Sequence, residues 1–206
     1  MVRYNVGRYI TAIVVLSIAL FLVISFLRNN LSFNDLKLIW ADIATTISIV
    51  TIICALFISW GWKWKIFQRW LVPFPCLSGK WEGEMLSTFA PGDTPIPVEM
   101  KIKHHFFNIQ IKVTTAESKS ISTCGSFDID EDRGLKQLIY SYQSIPKAVV
   151  RNRSEIHFGT TRLEINDDAT EMSGDYWTDR KTTGDIKVSK SKFIDRKNAN
   201  DNLKKK

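Results

Sequence analysis

Two long apolar runs open the chain, and short alternating segments follow them. From Tyr9 to Leu27 the stretch YITAIVVLSIALFLVISFL carries no charged residue. At about 1.5 Å per residue, a helix of that length crosses a hydrocarbon core near 30 Å thick. From Ile43 to Trp62 the run IATTISIVTIICALFISWGW is also uncharged, and any Lys, Arg or Asp at its centre would have cost roughly 2.5–3.5 kcal/mol. The pattern therefore predicts two transmembrane helices, at 9–27 and 43–62. The first exceeds the apolar core of a secretory signal peptide, and no small-x-small cleavage pattern follows before Arg28, so it reads as a retained span.

After Trp62 the period changes. Pro73 and Pro75 end any helical continuation, and beyond Ser78-Gly79 the apolar residues alternate with polar ones. Val98–His104 and Phe107–Val113 alternate with period two, as half-buried strands require. Weaker strand patterns cover Lys80–Ser87, Ser120–Ile129, Leu135–Tyr142, Glu155–Ile165, Glu171–Thr178 and Gly184–Ser189. Eight antiparallel strands can close into a barrel that leaves no exposed edge and encloses packed side chains or one small ligand. A seven-to-eight-strand sandwich is the other fold this pattern permits. Parity along the strands places Trp81, Met85, Met100, Ile102, Ile109, Ile111, Thr123, Phe127, Leu138, Tyr140, Tyr142, His157 and Tyr176 on the inner face. The organisation is thus a two-helix region at 1–72, a β domain at 73–190 and a basic tail at 191–206.

Charge then sets the orientation. The 206 residues carry a net charge of +7, with the excess beside the apolar runs and in the tail, where Lys190, Lys192, Arg196, Lys197, Lys204, Lys205 and Lys206 gather. Such a tail suits contact with anionic lipid better than a DNA or RNA polymer, whose binder needs a cationic stripe on folded structure. Arg3 and Arg8 precede the first span, and Lys63, Lys65 and Arg69 follow the second, while Arg28–Asp42 reads as an external loop balanced by Asp35 and Asp42. Both termini are then expected in the cytoplasm. Trp60, Trp62, Trp64 and Trp70 form an expected aromatic belt where the chain leaves the bilayer.

The sequence carries no recognisable nucleophile elbow, phosphate loop, HExxH or paired catalytic carboxylates, so it does not read as an enzyme. Cys54, Cys76 and Cys124 lack CxxC spacing, and His104, His105 and His157 lack the spacing of a zinc site, so no metal or disulfide framework is expected. What stands out is Gly174–Gly184, GDYWTDRKTTG, an aromatic strand running into a hairpin rich in hydroxyl and cationic groups.

Taken in order, two spans, a Pro-rich exit, Leu77-Ser78-Gly79-Lys80-Trp81-Glu82-Gly83 and the Gly-x-Tyr-Trp-x-x-Arg-x-Thr-x-Gly hairpin, the chain resembles the SMODS-associating two-transmembrane, β-strand-rich effectors of bacterial CBASS anti-phage systems. The resemblance covers nearly the whole chain. It implies an inner-membrane, multi-pass protein whose cytoplasmic eight-stranded β-barrel binds a cyclic dinucleotide made by a partner nucleotidyltransferase. Binding would drive oligomerisation and membrane damage, causing abortive infection, with no cofactor beyond that activating ligand. For such a ligand, Trp81, Tyr140, Tyr142 and Tyr176 are candidate faces for the bases, each stack being worth roughly 1–3 kcal/mol. Arg180, expected on an exposed hairpin, offers a planar donor fork for phosphate, and Thr178, Thr182 and Thr183 offer neutral donors beside it. A lipocalin-like membrane-tethered carrier or sensor of another small ligand is the alternative, and would need an interior poor in cations and hydroxyls.

Overall fold

A computed structural model describes residues 6–29, 35–68, 70–89, 94–130 and 133–191. The basic residues Arg3 and Arg69 and all of the tail beyond Ser191 lie outside the described residues. Two helices come first, α1 at Val6–Leu27 and α2 at Leu36–Ser59. Eight strands follow: β1 (Gly79–Ser87), β2 (Ile96–His105), β3 (Asn108–Thr114), β4 (Ser118–Asp130), β5 (Leu135–Pro146), β6 (His157–Ile165), β7 (Glu171–Thr178) and β8 (Thr183–Lys190). The chain divides between Pro75 and Cys76 into a helical unit and a β unit.

Both helices are long and apolar enough to cross a membrane. Their large side chains, among them Val15, Ile18 and Phe26 of α1 and Ile47, Ile52 and Leu56 of α2, are exposed to the surroundings, which in water would be costly and in lipid is not. The second helix differs from the charge-free run 43–62. It starts earlier, at Leu36, behind an Asp35 N-cap whose carboxylate accepts from the Lys37 amide at 2.8 Å, and it ends at Ser59, before a 3₁₀ turn at Gly61–Lys63. Asp42 is therefore not a loop residue. It is fully buried, and its carboxylate accepts from Ser25 Oγ and Arg28 Nη1, each at 2.9 Å, tying α2 to the end of α1. A charge count that excludes ionised residues from spans misses a paired one.

The tryptophan belt is also smaller than the sequence suggests. Trp60, Trp64 and Trp70 are exposed, but Trp62 is buried against Phe74, ring centroids 5.9 Å apart, with Lys63 Nζ 5.7 Å from its ring centroid. The turn at Gly61 folds that indole inward, while the exposed indoles, with an apolar ring and a polar N–H, suit an interface.

The β unit is one closed antiparallel barrel in sequential order, β1 pairing with both β2 and β8; the sandwich is not the fold. Alternation holds along β2, β3, β5 and β6, whose odd or even positions are buried in turn. It breaks once, in β4, where the register shifts between Ser122 and Cys124. The extra residue there is Thr123, which is exposed and donates to the Ser141 carbonyl at 3.1 Å, so Thr123 is not an inner residue. Beyond the bulge Phe127 returns to the interior.

One end of the barrel is packed solid. Trp81, Met100, Leu138, Leu163, Met172 and Val188 are at most 1 % exposed, and each such burial contributes about 1.5–3 kcal/mol. The segment before β1 seals this end: Leu77 is fully buried, its carbonyl accepts from Trp81 Nε1 at 3.0 Å, and its amide donates to His104 Nδ1.

Candidate ligand-binding cavity

The other end is hollow because its inward side chains shrink. Ser87, Ser120, Ser144, Gly159, Thr178 and Gly184 occupy, at this end, inner positions comparable to those filled by Trp, Met and Leu at the packed end. They leave a cavity of about 420 Å³, within the roughly 300–1,000 Å³ typical of small-molecule sites.

Tyr140, Tyr142 and Tyr176 line it. Tyr140 and Tyr142 lie with ring centroids 6.0 Å apart at 47°. Two glycines make room for the rings: a Cβ on Gly159 would stand 2.5 Å from the Tyr142 ring, and one on Gly184 would stand 2.7 Å from that of Tyr176. Burial holds all three phenols in the neutral form. It pushes Tyr140 up to about 12 from 10.0, offset in part by a hydrogen bond with Thr161. It raises Tyr142 further, helped by the neighbouring phenols Tyr140 and Tyr176, and raises Tyr176 against a hydrogen bond with Ser87. At neutral pH the wall therefore offers O–H donors and aromatic faces without a phenolate to repel an anion.

Arg180 stands at the mouth. It is half-buried, not exposed as expected of the hairpin. Its guanidinium carbon sits 5.5 Å above the Phe89 ring, Nη1 donates to Ser154 Oγ and Nη2 to His157 Nε2, both at 3.4 Å. The Nδ1–H of His157 donates to the Glu155 carbonyl at 2.9 Å, which leaves Nε2 as the acceptor for Arg180. Arg180 Nε is buried with no hydrogen-bond partner. The hairpin that carries it is stapled twice. Thr178 and Thr182 share a hydroxyl bond of 2.6 Å and a backbone bond of 3.0 Å, and Asp179 exchanges bonds with the Phe158 backbone on β6. Lys181 takes the left-handed conformation that closes the turn, with φ of 61°.

Of the eight candidate residues, the structure brings six together around the cavity: Tyr140, Tyr142, Tyr176, Thr178, Arg180 and Thr182. Trp81 is not with them. It lies in the packed end with its N–H satisfied by Leu77 and Lys190 Nζ 5.6 Å from its ring centroid. Thr183 is an exposed strand residue whose amide is taken by Thr88 Oγ1. Phe89, Glu117, Arg153, Ser154 and His157 also line the cavity, though none is among the ligand contacts expected from the sequence. Parity had put His157 inside; the other four sit in connections, where alternation carries no signal.

A closed barrel sealed at one end and open at the other over a tyrosine-walled, arginine-tipped cavity defines a small-molecule-holding β-barrel, carried here behind two candidate membrane spans. The family described as Cap15, cyclic dinucleotide receptor domain, matches residues 72–190. CD-NTase-associated protein 15 of Staphylococcus schleiferi is 34% identical over 155 residues, 74% of this chain and 81% of that protein, a match longer than the barrel alone. The chain belongs to the Cap15 family of CBASS effectors, whose matched domain is a receptor domain and not a known catalytic one.

Proposed function

We propose that this chain is the membrane-anchored cyclic-dinucleotide receptor and effector of an anti-phage response, in which ligand entering the barrel drives copies to assemble and the assembled spans break the inner membrane. Arg180 carries this reading. A half-buried guanidinium with an unpartnered Nε, at the mouth of a cavity walled by neutral tyrosines, is a donor fork awaiting an anion. Membership of a cyclic dinucleotide receptor family supplies the ligand class.

The residues divide the work by chemistry. Tyr140, Tyr142 and Tyr176 present flat faces for the bases and O–H donors for their edges. Arg180 meets one phosphodiester, with Thr178 and Thr182 as neutral donors next to it. A guanidinium also pairs with the carboxylate of a fatty acid, so the family match and not the lining favours the dinucleotide over the ligand of a lipocalin-like carrier. The exposed indoles of Trp60, Trp64 and Trp70 suit the headgroup layer, and Arg8, Lys63 and Lys65 suit the cytoplasmic side of two spans.

Co-expression with a cognate nucleotidyltransferase tests the effector half. Cells making both proteins should take up a membrane-impermeant dye and stop growing, while cells making a chain without 6–62 should not. Equal toxicity without the spans would rule out membrane disruption as the mechanism.

A further inference from the structure

The rim of the cavity holds a second arginine that the reading above leaves idle. Arg153 precedes Ser154, whose hydroxyl receives Arg180, and so lies in the β5–β6 connection that the first guanidinium reaches from the 178–182 hairpin. Its Nη2 is ion-paired with Glu117 Oε1 from the connection between β3 and β4. Among the described lining residues Glu117 is the one carboxylate and Arg153 and Arg180 the two guanidiniums. Glu117 is held in place by its backbone: Thr115 Oγ1 accepts from its amide at 3.3 Å and from that of Ser118 at 3.1 Å, while its carbonyl accepts from the Lys147 amide at 2.8 Å. The residue is thus anchored at its backbone on the rim, and its carboxylate keeps one of the two cations paired.

A cyclic dinucleotide carries two phosphodiester charges. Arg180 can serve one, and the second has a guanidinium to meet once Arg153 leaves Glu117. Both members of that pair are about half exposed, at 54% and 50%, and exposed ion pairs are weak and screened. We infer that Glu117 is a charge gate on the cavity, pairing with Arg153 in the empty barrel and surrendering it to the second phosphate of a dianionic ligand. The inference rests on the cyclic-dinucleotide reading of the cavity. It makes Glu117 a specificity residue: a monoanionic nucleotide gains too little to open the pair and meets its repulsion, whereas a dianion replaces the carboxylate with a better partner.

Calorimetry on the full chain in detergent tests it, using a panel of 3′,3′-linked cyclic dinucleotides of A, G, U and C as dianions and 3′,5′-cyclic AMP as a monoanion. Glu117→Gln keeps shape and removes charge. It should tighten dinucleotide binding about two- to tenfold, and Arg153→Gln should weaken it about tenfold. Combined with Arg153→Gln, Glu117→Gln should lose most of its gain, because the cation it releases is gone. Thermal unfolding of each variant should stay at the wild-type midpoint. Wild-type binding left unchanged or weakened by Glu117→Gln would overturn the gate and leave the receptor reading standing. Absence of binding to every dinucleotide would overturn both.

Discussion

At the scale of residues, the cavity is made by where small side chains stand as much as by the aromatic ones. Gly159 is the clearest case, since a Cβ there would meet the end of Tyr142 at 2.5 Å and the Trp177 carbonyl at 2.9 Å. Gly159→Ala should displace the Tyr142 ring and weaken ligand binding while the barrel still folds; an unchanged affinity by titration would mean that Tyr142 is not a ligand face. Arg180→Ala should weaken dinucleotide binding about ten- to a hundredfold, because a charge-assisted contact to phosphate is worth roughly 1.5–3 kcal/mol. Its effect on stability should be about 0.5–1 kcal/mol, from the lost packing on Phe89. Arg180→Lys keeps the charge and loses the fork, and should recover only part of the affinity. The buried phenols set an alkaline limit. Tyr140 titrates at about 12 when folded against 10.0 when unfolded, so above pH 10 the unfolded chain holds fewer protons and stability falls as pH rises. Denaturant unfolding should show no tyrosine-linked change at neutral pH and a loss of about 2–3 kcal/mol from this residue by pH 12.

At the scale of elements, the strands were readable because alternation is a backbone property, and seven of the eight keep it well enough to assign an inner face. The exception was set by a bulge, which inserts Thr123 and reverses parity upstream of it; a period-two reading has no means of seeing one extra residue. Likewise Trp81 looked like a ligand face because parity says inside and not which end. The hydroxyl and guanidinium groups of the 178–182 hairpin were legible from composition, whereas Arg153 and Glu117 come from connections that no periodicity marks. The helices are legible by hydropathy, but the Arg28–Asp42 pair is not, since a charge-free window stops at any ionisable residue. That pair gives an asymmetric prediction. Removing Arg28 takes a cation from a fully buried carboxylate, whereas removing Asp42 leaves an arginine already 42% exposed. Arg28→Ala should therefore destabilise the α1–α2 pair by up to roughly 3–5 kcal/mol, the cost of breaking a buried ion pair from one side, and Asp42→Ala by less. Thermal unfolding of the full chain in detergent checks the order; the reverse ranking would remove this account of the pair.

At the scale of the whole molecule, a receptor domain and a pair of spans share one chain, which is the arrangement needed to turn a soluble messenger into a membrane event. The proposed orientation, with both ends in the cytoplasm, puts the barrel where a nucleotidyltransferase product would be. Alkaline phosphatase should be inactive when fused after Lys206 and active when inserted near Asn30; the opposite pattern would place the barrel on the wrong side of the membrane for its ligand. The central claim is that the barrel's hollow end takes a cyclic dinucleotide through Arg180, and competition calorimetry on the purified full chain tests it most directly. Saturable binding of at least one cyclic dinucleotide, unaffected by excess fatty acid and at least about tenfold weaker in Arg180→Ala, is the result predicted. Displacement by fatty acid, or dinucleotide binding that survives Arg180→Ala undiminished, would contradict it.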